Sequence, residues 1–299
     1  MRGFKIFGIR IPVSPLFFLA LFTALLCSCT RRETSSPPSG IGENQDGYDE
    51  LEQFLAERDT EAVFDEFLDR TLNAAEIPDD MAVEIMNAAM EGPSFILDLL
   101  SCVSGDPFLY ALVDKNHALP PGYAPDDLVL LAGIGGGDSY HISRNGLLLR
   151  EAAAEALEEM AAAAKAEGII LTVGSTYRSY DYQVEVYNRV VGELGQESAD
   201  RESARPGHSQ HQTGLALDFA PIDDSFAALP EGKWVLANAG RFGWSLSFPD
   251  GYESVTGYRW ESWHYRYTGK DLLSFIDTYF GGIQQYALRF LHEWQQAEQ

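Results

Sequence analysis

Two short stretches of the sequence combine histidines with carboxylates in a setting that is otherwise apolar and aromatic. The first reads SQHQTGLALD and contains His211 and Asp218, and the second reads ESWHYR and contains Glu261 and His264. Histidine nitrogens and carboxylate oxygens are donors that zinc enzymes use, with three protein ligands and one position left open. The two stretches together therefore offer enough donors for a catalytic metal centre.

Asp218 ends an apolar segment that is predicted to be a β-strand. Gly214 permits a tight turn before it, and strand alternation places Ala216 and Asp218 on the same face. A carboxylate at the end of an apolar strand is costly without a partner, and a cation would be such a partner. The alternative is an aspartate that caps a helix or forms an ion pair, beside a histidine at the surface.

Glu261 and His264 lie three positions apart, so they share one side of a helix or turn and would face opposite ways in a strand. A turn that leads into a strand is the expected geometry. Trp260 and Trp263 would then form apolar walls that lower the local dielectric and raise the pKa of the Glu261 carboxyl towards a value useful for a general base. The alternative is an aromatic strand that simply packs in the core.

The two stretches together resemble the paired motifs of the VanY-like zinc D-Ala-D-Ala carboxypeptidases, Ser-x-His-x-x-Gly-x-Ala-x-Asp followed further along the chain by Glu-x-x-Trp-His-x-Arg. That family also carries a Tyr-Arg-Ser segment with a glutamine five residues after the arginine, which Tyr177, Arg178, Ser179 and Gln183 match. The resemblance covers residues 110–270. The same metal centre occurs in the dipeptidase and Hedgehog-signalling-domain relatives of the family.

The resemblance implies a role for five residues of this chain. His211, Asp218 and His264 would hold one zinc ion, and Glu261 would be the catalytic base. Arg178 would bind the terminal carboxylate of the substrate or the developing oxyanion. An arginine suits a terminal carboxylate because its planar fork can bind both oxygens. That anchor predicts an exopeptidase.

Two further residues complete the implied site. Gln183 and Ser209 would line the substrate site. His208 lies three positions before His211, but a fourth protein ligand would close the metal site and make it structural. We therefore expect His208 to lie outside the metal's ligand set.

The implied activity is hydrolysis of the C-terminal D-Ala of peptidoglycan stem peptides. The same metal chemistry would also serve an L,D-carboxypeptidase or a peptidoglycan endopeptidase. A different class, a non-catalytic zinc module that binds the cell wall, also fits the metal ligands. Glu261 argues against that class, because a structural metal site needs no base beside it.

The order of the predicted elements indicates an α+β fold in which an antiparallel sheet is flanked by helices, preceded by a small helical region. Helices are predicted at 149–168, 180–194 and 233–242, and one of about 25 residues from Gly269. Strands are predicted at 112–115, 169–173, 214–219, near Leu246 and at 264–267. Residues 195–205 are predicted to be a polar loop.

The charge of the chain excludes one class of partner. It carries 45 acidic and 21 basic residues, a formal net charge of −24. Binding to nucleic acid depends on lysines and arginines that neutralise phosphates. Nucleic acid is therefore not an expected partner.

The N-terminal region predicts export and a lipid anchor. Residues 1–29 have a basic start and an apolar run typical of a signal peptide, and Cys29 resembles the lipidated cysteine of bacterial lipoproteins. Alternatives are lipidation of Cys27, cleavage without a lipid, or an uncleaved anchor. The predicted location is the cell envelope, on its periplasmic or extracytoplasmic face, with a membrane contact through lipidated Cys29. Cys102 lies in an apolar stretch and is expected to be a buried, inert thiol.

The rest of the chain divides into three predicted parts. Residues 30–47 are predicted to be a disordered tether, because they are polar and rich in Ser, Pro and Gly. Residues 48–105 carry two acidic helical patterns that form a helical appendage, interrupted at Gly92 and Pro93. Residues 106–299 form the zinc peptidase domain.

Overall fold

The structure is a computed structural model that describes residues 60–131 and 139–297, together with the paired strands β1 (Lys5–Ile6) and β2 (Ile9–Arg10). Apart from these strands, the predicted signal peptide and tether lie outside the described residues. Where the chain is described, its helices are too short or too polar to span a bilayer.

The chain divides into two compact units, residues 1–97 with 293–299 and residues 98–292. The first contains the helices α1 (Thr60–Ala74) and α2 (Asp79–Glu91) and the start of α3 (Ser94–Ser104). The predicted interruption at Gly92 and Pro93 is confirmed, because α2 ends just before it and α3 begins just after it. The predicted boundary between residues 105 and 106 stays a prediction.

The second unit is built on a five-stranded sheet with the order β4-β6-β7-β9-β8. The strands are β4 (Tyr140–Ile142), β6 (Leu171–Ser175), β7 (Ala216–Phe219), β8 (Trp244–Leu246) and β9 (His264–Tyr267). All pairs are antiparallel except β4 with β6. A smaller antiparallel pair joins β3 (Leu128–Leu130) to β5 (Leu148–Arg150). The predicted α+β class is confirmed, with one parallel pair added to an otherwise antiparallel sheet.

The second unit also contains helices. They are α4 (Glu151–Ala166), α5 (Tyr180–Leu194), α6 (Gln196–Glu202), α7 (Pro230–Asn238), α8 (Glu253–Thr256), α9 (Gly269–Tyr279) and α10 (Gln284–Ala297), whose last residues belong to the first unit. Short 3₁₀ helices occur at Gln210–Thr213, Asp224–Ala228 and Ala239–Phe242.

One face of the sheet packs on α4 to form the core. The buried face of α4 is made of alanines with Leu157 and Met160, which let the helix approach the sheet closely. Leu217 and Phe219 of β7 belong to this core. Because side chains alternate along a strand, Ala216 and Asp218 lie on the opposite face. The sheet thus separates an apolar layer from a polar one.

Three predictions of local structure are wrong. Residues 112–115 form no strand, and the predicted loop at 195–205 contains α6, of which only Ala199 is fully buried, so it lacks an apolar stripe. The terminal helix is broken at Gly281 and Gly282, which have φ values of 59° and 77°. Such left-handed residues end a right-handed helix. α9 and α10 are therefore separate helices.

The single cysteine of the described region is a buried free thiol, as predicted. Burial, together with the nearby carboxylates Asp271 and Asp98, raises the pKa of Cys102 to about 12. A thiol is a nucleophile only as the thiolate. Cys102 is therefore an inert residue of the core.

Candidate active site

Asp218 and His264 are direct cross-strand neighbours. Asp218 of β7 pairs with His264 of β9 in the sheet register, and opposite residues of an antiparallel pair project to the same face. The Nδ1 atom of His264 lies 3.0 Å from Oδ1 of Asp218. The sheet register therefore brings together two of the predicted donors that are far apart in sequence.

His211 reaches the same point from a 3₁₀ helix that ends just before β7. The hydroxyl of Ser209 accepts a hydrogen bond from the amide of His211 at 3.3 Å and caps this helix. Gly214 ends it with a left-handed φ of 71°, and a Cβ there would lie 2.9 Å from the side chain of Arg150. Only glycine fits this turn without strain. The turn places Nε2 of His211 3.2 Å from Oδ2 of Asp218.

The three side chains fit a zinc ion. One donor atom from each of His211, Asp218 and His264 can be chosen so that all lie within 4.8 Å of one another. Nε2 of His211 and Oδ1 of Asp218 are buried, and their contacts at 3.2 and 3.0 Å lack hydrogen-bond geometry, so neither atom has a hydrogen-bond partner among the described residues. Buried polar atoms rarely stay unsatisfied, so these two are expected to bind another group. Two imidazoles and one carboxylate form the donor set of a catalytic zinc site.

His208 does not belong to this donor group. Its Nδ1 atom lies 2.7 Å from the backbone carbonyl oxygen of Asp114. The carbonyl accepts a hydrogen bond only if Nδ1 carries the proton, which removes this nitrogen as a ligand.

The protonation states suit metal binding. Burial, followed by the nearby Arg178 guanidinium, lowers the pKa of His211 to about 4, so its imidazole is neutral at pH 7. Burial alone would raise the pKa of Asp218, but the contacts with His211 and His264 outweigh it and hold that pKa well below its usual value. A metal ligand must be a neutral imidazole or an ionised carboxylate, and the pKa shifts of His211 and Asp218 favour these forms.

The second nitrogen of each imidazole has its own partner. Nδ1 of His211 lies 2.8 Å from the carbonyl oxygen of Thr176, and Nε2 of His264 lies 3.2 Å from Oε1 of Gln210. Such contacts orient a metal-binding imidazole and select its tautomer. The sequence did not indicate either partner, because Thr176 acts through its backbone and Gln210 differs little from any polar residue of a loop.

Glu261 lies beside the donor group at the turn into β9, as expected. Its carbonyl oxygen accepts from the amide of His264 at 3.2 Å, and its Oε2 lies 3.6 Å from Nδ1 of His264. Burial first, and then the Asp218 carboxylate, raise the pKa of Glu261 to about 8. A divalent cation on the neighbouring donors would lower this pKa, because it favours the charged form. Glu261 thus lies beside the three candidate metal donors, with a carboxyl group that can take up or release a proton near neutral pH.

Arg178 follows β6 and faces the two acidic groups of the site. Its backbone amide donates to the carbonyl oxygen of His211 at 3.2 Å. Burial lowers the pKa of Arg178, while the carboxylates of Asp218 and Glu261 act in the opposite direction. Its buried Nε atom has no hydrogen-bond partner among the described residues. A guanidinium with a free, desolvated donor can receive an anionic group.

Gln183 and Ser209 are both buried. Gln183 lies in α5 and donates through Nε2 to the carbonyl oxygen of Ala204 at 2.7 Å. Its Oε1 has no partner in the described region. The Ser209 hydroxyl is engaged as the helix cap described above. The structure therefore places both side chains in the framework that holds the 203–211 segment.

Two imidazoles and one carboxylate that converge on one point, with a second carboxylate beside them, are typical of one class of protein, the metal-dependent peptidases. The sequence profile of the VanY family, described as D-alanyl-D-alanine carboxypeptidase, matches residues 146–270. A protein of Bacillus subtilis (strain 168) named for carboxypeptidase activity, YodJ, is 35% identical over 199 residues, 64% of this chain and 71% of its own. The chain belongs to the VanY family of carboxypeptidases and is an enzyme.

Further relatives agree with this assignment. A D-alanyl-D-alanine carboxypeptidase of Enterococcus faecium is 31% identical over 133 residues, 44% of this chain and 41% of its own. The solved structure of the LD-carboxypeptidase LdcB has 36% identity and a TM-score of 0.51, covering 58% of this chain and 86% of that one. The D,D-dipeptidase VanXYg, solved with a D-Ala-D-Ala phosphinate analogue, has 25% identity and a TM-score of 0.52, covering 62% and 73%.

Proposed function

We propose that this chain is a zinc-dependent D-alanyl-D-alanine carboxypeptidase that removes the C-terminal D-Ala of peptidoglycan stem peptides. The observation that carries the proposal is the convergence of His211, Asp218 and His264 on one point, with the Glu261 carboxylate 3.6 Å from the nearest imidazole nitrogen. Membership of the VanY family and the activities named for its relatives support the choice of substrate.

His211, Asp218 and His264 would hold one zinc ion per chain. When bound, zinc supplies a Lewis acid that makes water more acidic and polarises a carbonyl group. Glu261 accepts a proton from the attacking water at its carboxylate and passes it to the leaving amine. The site is buried around this carboxylate, whose side chain is only 12% exposed, so bulk water does not compete for the proton.

Arg178 would bind the terminal carboxylate of the substrate and so limit cleavage to the last residue. Its unpartnered Nε and its position beside Glu261 support this role. A charge-assisted, two-pronged hydrogen bond is among the stronger polar contacts in proteins. Gln183 and Ser209 would line the same substrate site. They would also fix the segment that leads to His211.

The experiment that tests the function is digestion of defined muropeptides by the exported, mature chain. We expect a stem peptide ending in D-Ala-D-Ala to lose the mass of one alanine, and a chelator to abolish the reaction until zinc is restored. Mass spectrometry of the products distinguishes the outcomes. Intact substrate in the presence of zinc would contradict the proposal, and so would cleavage that a chelator does not affect.

A second candidate function is L,D-carboxypeptidase activity on stem tetrapeptides. The similarity to LdcB, at 36% identity, favours it. The metal site and Glu261 serve both reactions equally, because the difference lies in the residue that precedes the scissile bond. In the same assay, faster loss of D-Ala from a tetrapeptide than from a pentapeptide would assign the chain to this second function.

The enzyme is proposed to act outside the cytoplasm, anchored in the membrane through a lipid on Cys29. Its substrate class supports this location, because peptidoglycan lies outside the membrane. We expect a labelled fatty acid to be incorporated into the wild-type chain and the Cys27→Ser variant, but not into Cys29→Ser. Labelling of Cys29→Ser with loss of label from Cys27→Ser would move the anchor to Cys27, contrary to this proposal.

A further inference from the structure

A closed ring of three buried side chains lies behind His264. The hydroxyl of Ser247 donates to Oε1 of Gln210 at 2.7 Å. Nε2 of Gln284 donates to that hydroxyl, and Nε2 of Gln210 donates to Oε1 of Gln284, both at 3.4 Å. The three residues are 5%, 3% and 1% exposed for Gln210, Ser247 and Gln284. In this ring each donor meets an acceptor.

The direction of the ring determines what His264 meets. Oε1 of Gln210 accepts from Ser247 and also faces Nε2 of His264 at 3.2 Å. If the Gln210 amide alone were flipped, its Oε1 would meet the Oε1 of Gln284, two acceptors face to face. The opposite direction therefore requires all three side chains to change together.

An acceptor at this place selects one tautomer of the imidazole. A neutral imidazole has one donor and one acceptor nitrogen. Since Gln210 offers an oxygen, Nε2 of His264 carries the hydrogen and Nδ1 carries the lone pair. Nδ1 is the atom that lies 3.0 Å from Oδ1 of Asp218 and 3.6 Å from Oε2 of Glu261. The lone pair thus points into the group of metal donors.

We propose that Gln210 is a positioning residue that, held by Ser247 and Gln284, keeps His264 in the tautomer that binds the metal. This inference rests on the proposed zinc site and adds a residue to it. The other imidazole is held by the backbone oxygen of Thr176, which no substitution removes. Of the two imidazoles, that of His264 is therefore the one whose tautomer depends on a side chain, and this side chain is Gln210.

The test compares zinc affinity in three variants by competition with a chromophoric chelator. Gln210→Leu removes the acceptor and is expected to weaken zinc binding by about 10- to 100-fold, the usual effect of losing a hydrogen-bond partner of a ligand. Gln210→Glu keeps the acceptor for His264 but loses the donor to Gln284, so its affinity is expected to fall less than that of Gln210→Leu. Ser247→Ala leaves Gln210 in place but opens the ring, so an intermediate affinity is expected.

Gln212 provides the matched control. It lies in the same 3₁₀ helix and is equally buried, but its Nε2 donates to the carbonyl oxygens of Pro120 and Tyr123 at 3.1 and 3.3 Å. Gln212→Leu should lower the thermal stability without changing zinc affinity. A comparable loss of zinc affinity in Gln212→Leu would show a general structural effect and overturn the proposal.

The tautomer itself is read by ¹⁵N NMR of the His264 ring in the zinc-free protein, where the metal does not impose it. We expect a protonated Nε2 in the wild type and in Gln210→Glu, with a loss of this uniform state in Gln210→Leu. Wild-type zinc affinity in Gln210→Leu, with Nε2 still protonated, would refute the positioning role. Neither measurement requires turnover, so a chain that binds zinc as expected but cleaves no muropeptide would refute only the proposed function.

Discussion

Glu261→Gln is expected to retain zinc and to lose most of its turnover. The amide has nearly the same shape as the carboxylate, and the three proposed metal donors are left intact. It cannot accept the proton from water, and loss of a general acid–base group lowers turnover by about 10²- to 10⁴-fold. The measurements are kcat on a D-Ala-D-Ala stem peptide and the zinc content of the same preparation.

Two other variants serve as controls for this result. Asp218→Asn removes a charged metal donor and should lose zinc together with activity, which separates loss of the base from loss of the metal. Glu253→Gln changes an exposed carboxylate that pairs with Arg201, and should leave both zinc content and kcat unchanged. If Glu261→Gln keeps near-wild-type turnover, Glu261 is not the base.

The residues that meet at the site were identifiable from the sequence because each lies within a motif of fixed spacing. His211 and Asp218 are separated by a glycine that must turn, and the strand that follows alternates between core and site. Glu261 and His264 belong to a turn that runs into β9. Local spacing fixes such pairs. When β7 pairs with β9, the buried polar residues Asp218 and His264 come together on the same face of the sheet.

The partners behind the ligands could not be predicted in the same way. Ser247 and Gln284 are ordinary polar residues, distant in sequence from Gln210 and from each other. They become a unit only because β8 pairs with β9 and α10 begins beside them. The same holds for α6, whose polar sequence has no helical periodicity. Contacts of this kind depend on tertiary packing, which a motif does not encode.

The proposed role of Arg178 would also explain how an acidic protein can select an anionic substrate. The chain carries a net charge of −24, so its long-range field repels a peptide carboxylate. Recognition must therefore come from a short-range contact in a desolvated place, where a cation acts strongly. Arg178 is half-buried, its Nε is buried without a hydrogen-bond partner among the described residues, and the charges of Asp218 and Glu261 act on it, so it is in such a place. Its removal should thus have a large effect that depends on the charge of the substrate.

Arg178→Ala is expected to lower kcat/KM about 10- to 150-fold on stem peptides with a free C-terminus, since a hydrogen bond to a charged group contributes about 1.5–3 kcal/mol. On the same peptides with an amidated C-terminus, the loss should be much smaller. Arg178→Lys keeps the charge without the planar fork and should fall between the two. The quantity to measure is the ratio of kcat/KM for the free acid to that for the amide.

Removing Arg178 also alters the electrostatic environment of Glu261, and this effect lowers kcat/KM for both substrates alike. The ratio therefore changes only if Arg178 binds the terminal carboxylate. Arg241→Ala is the control: this exposed guanidinium donates to Oδ1 of Asn238 at 2.8 Å, and its loss should leave the ratio unchanged. An equal fall for acid and amide in Arg178→Ala would mean that the arginine acts on the transition state or on Glu261 rather than on the terminal carboxylate. The restriction of cleavage to the C-terminal residue of the substrate would then have to come from the shape of the pocket.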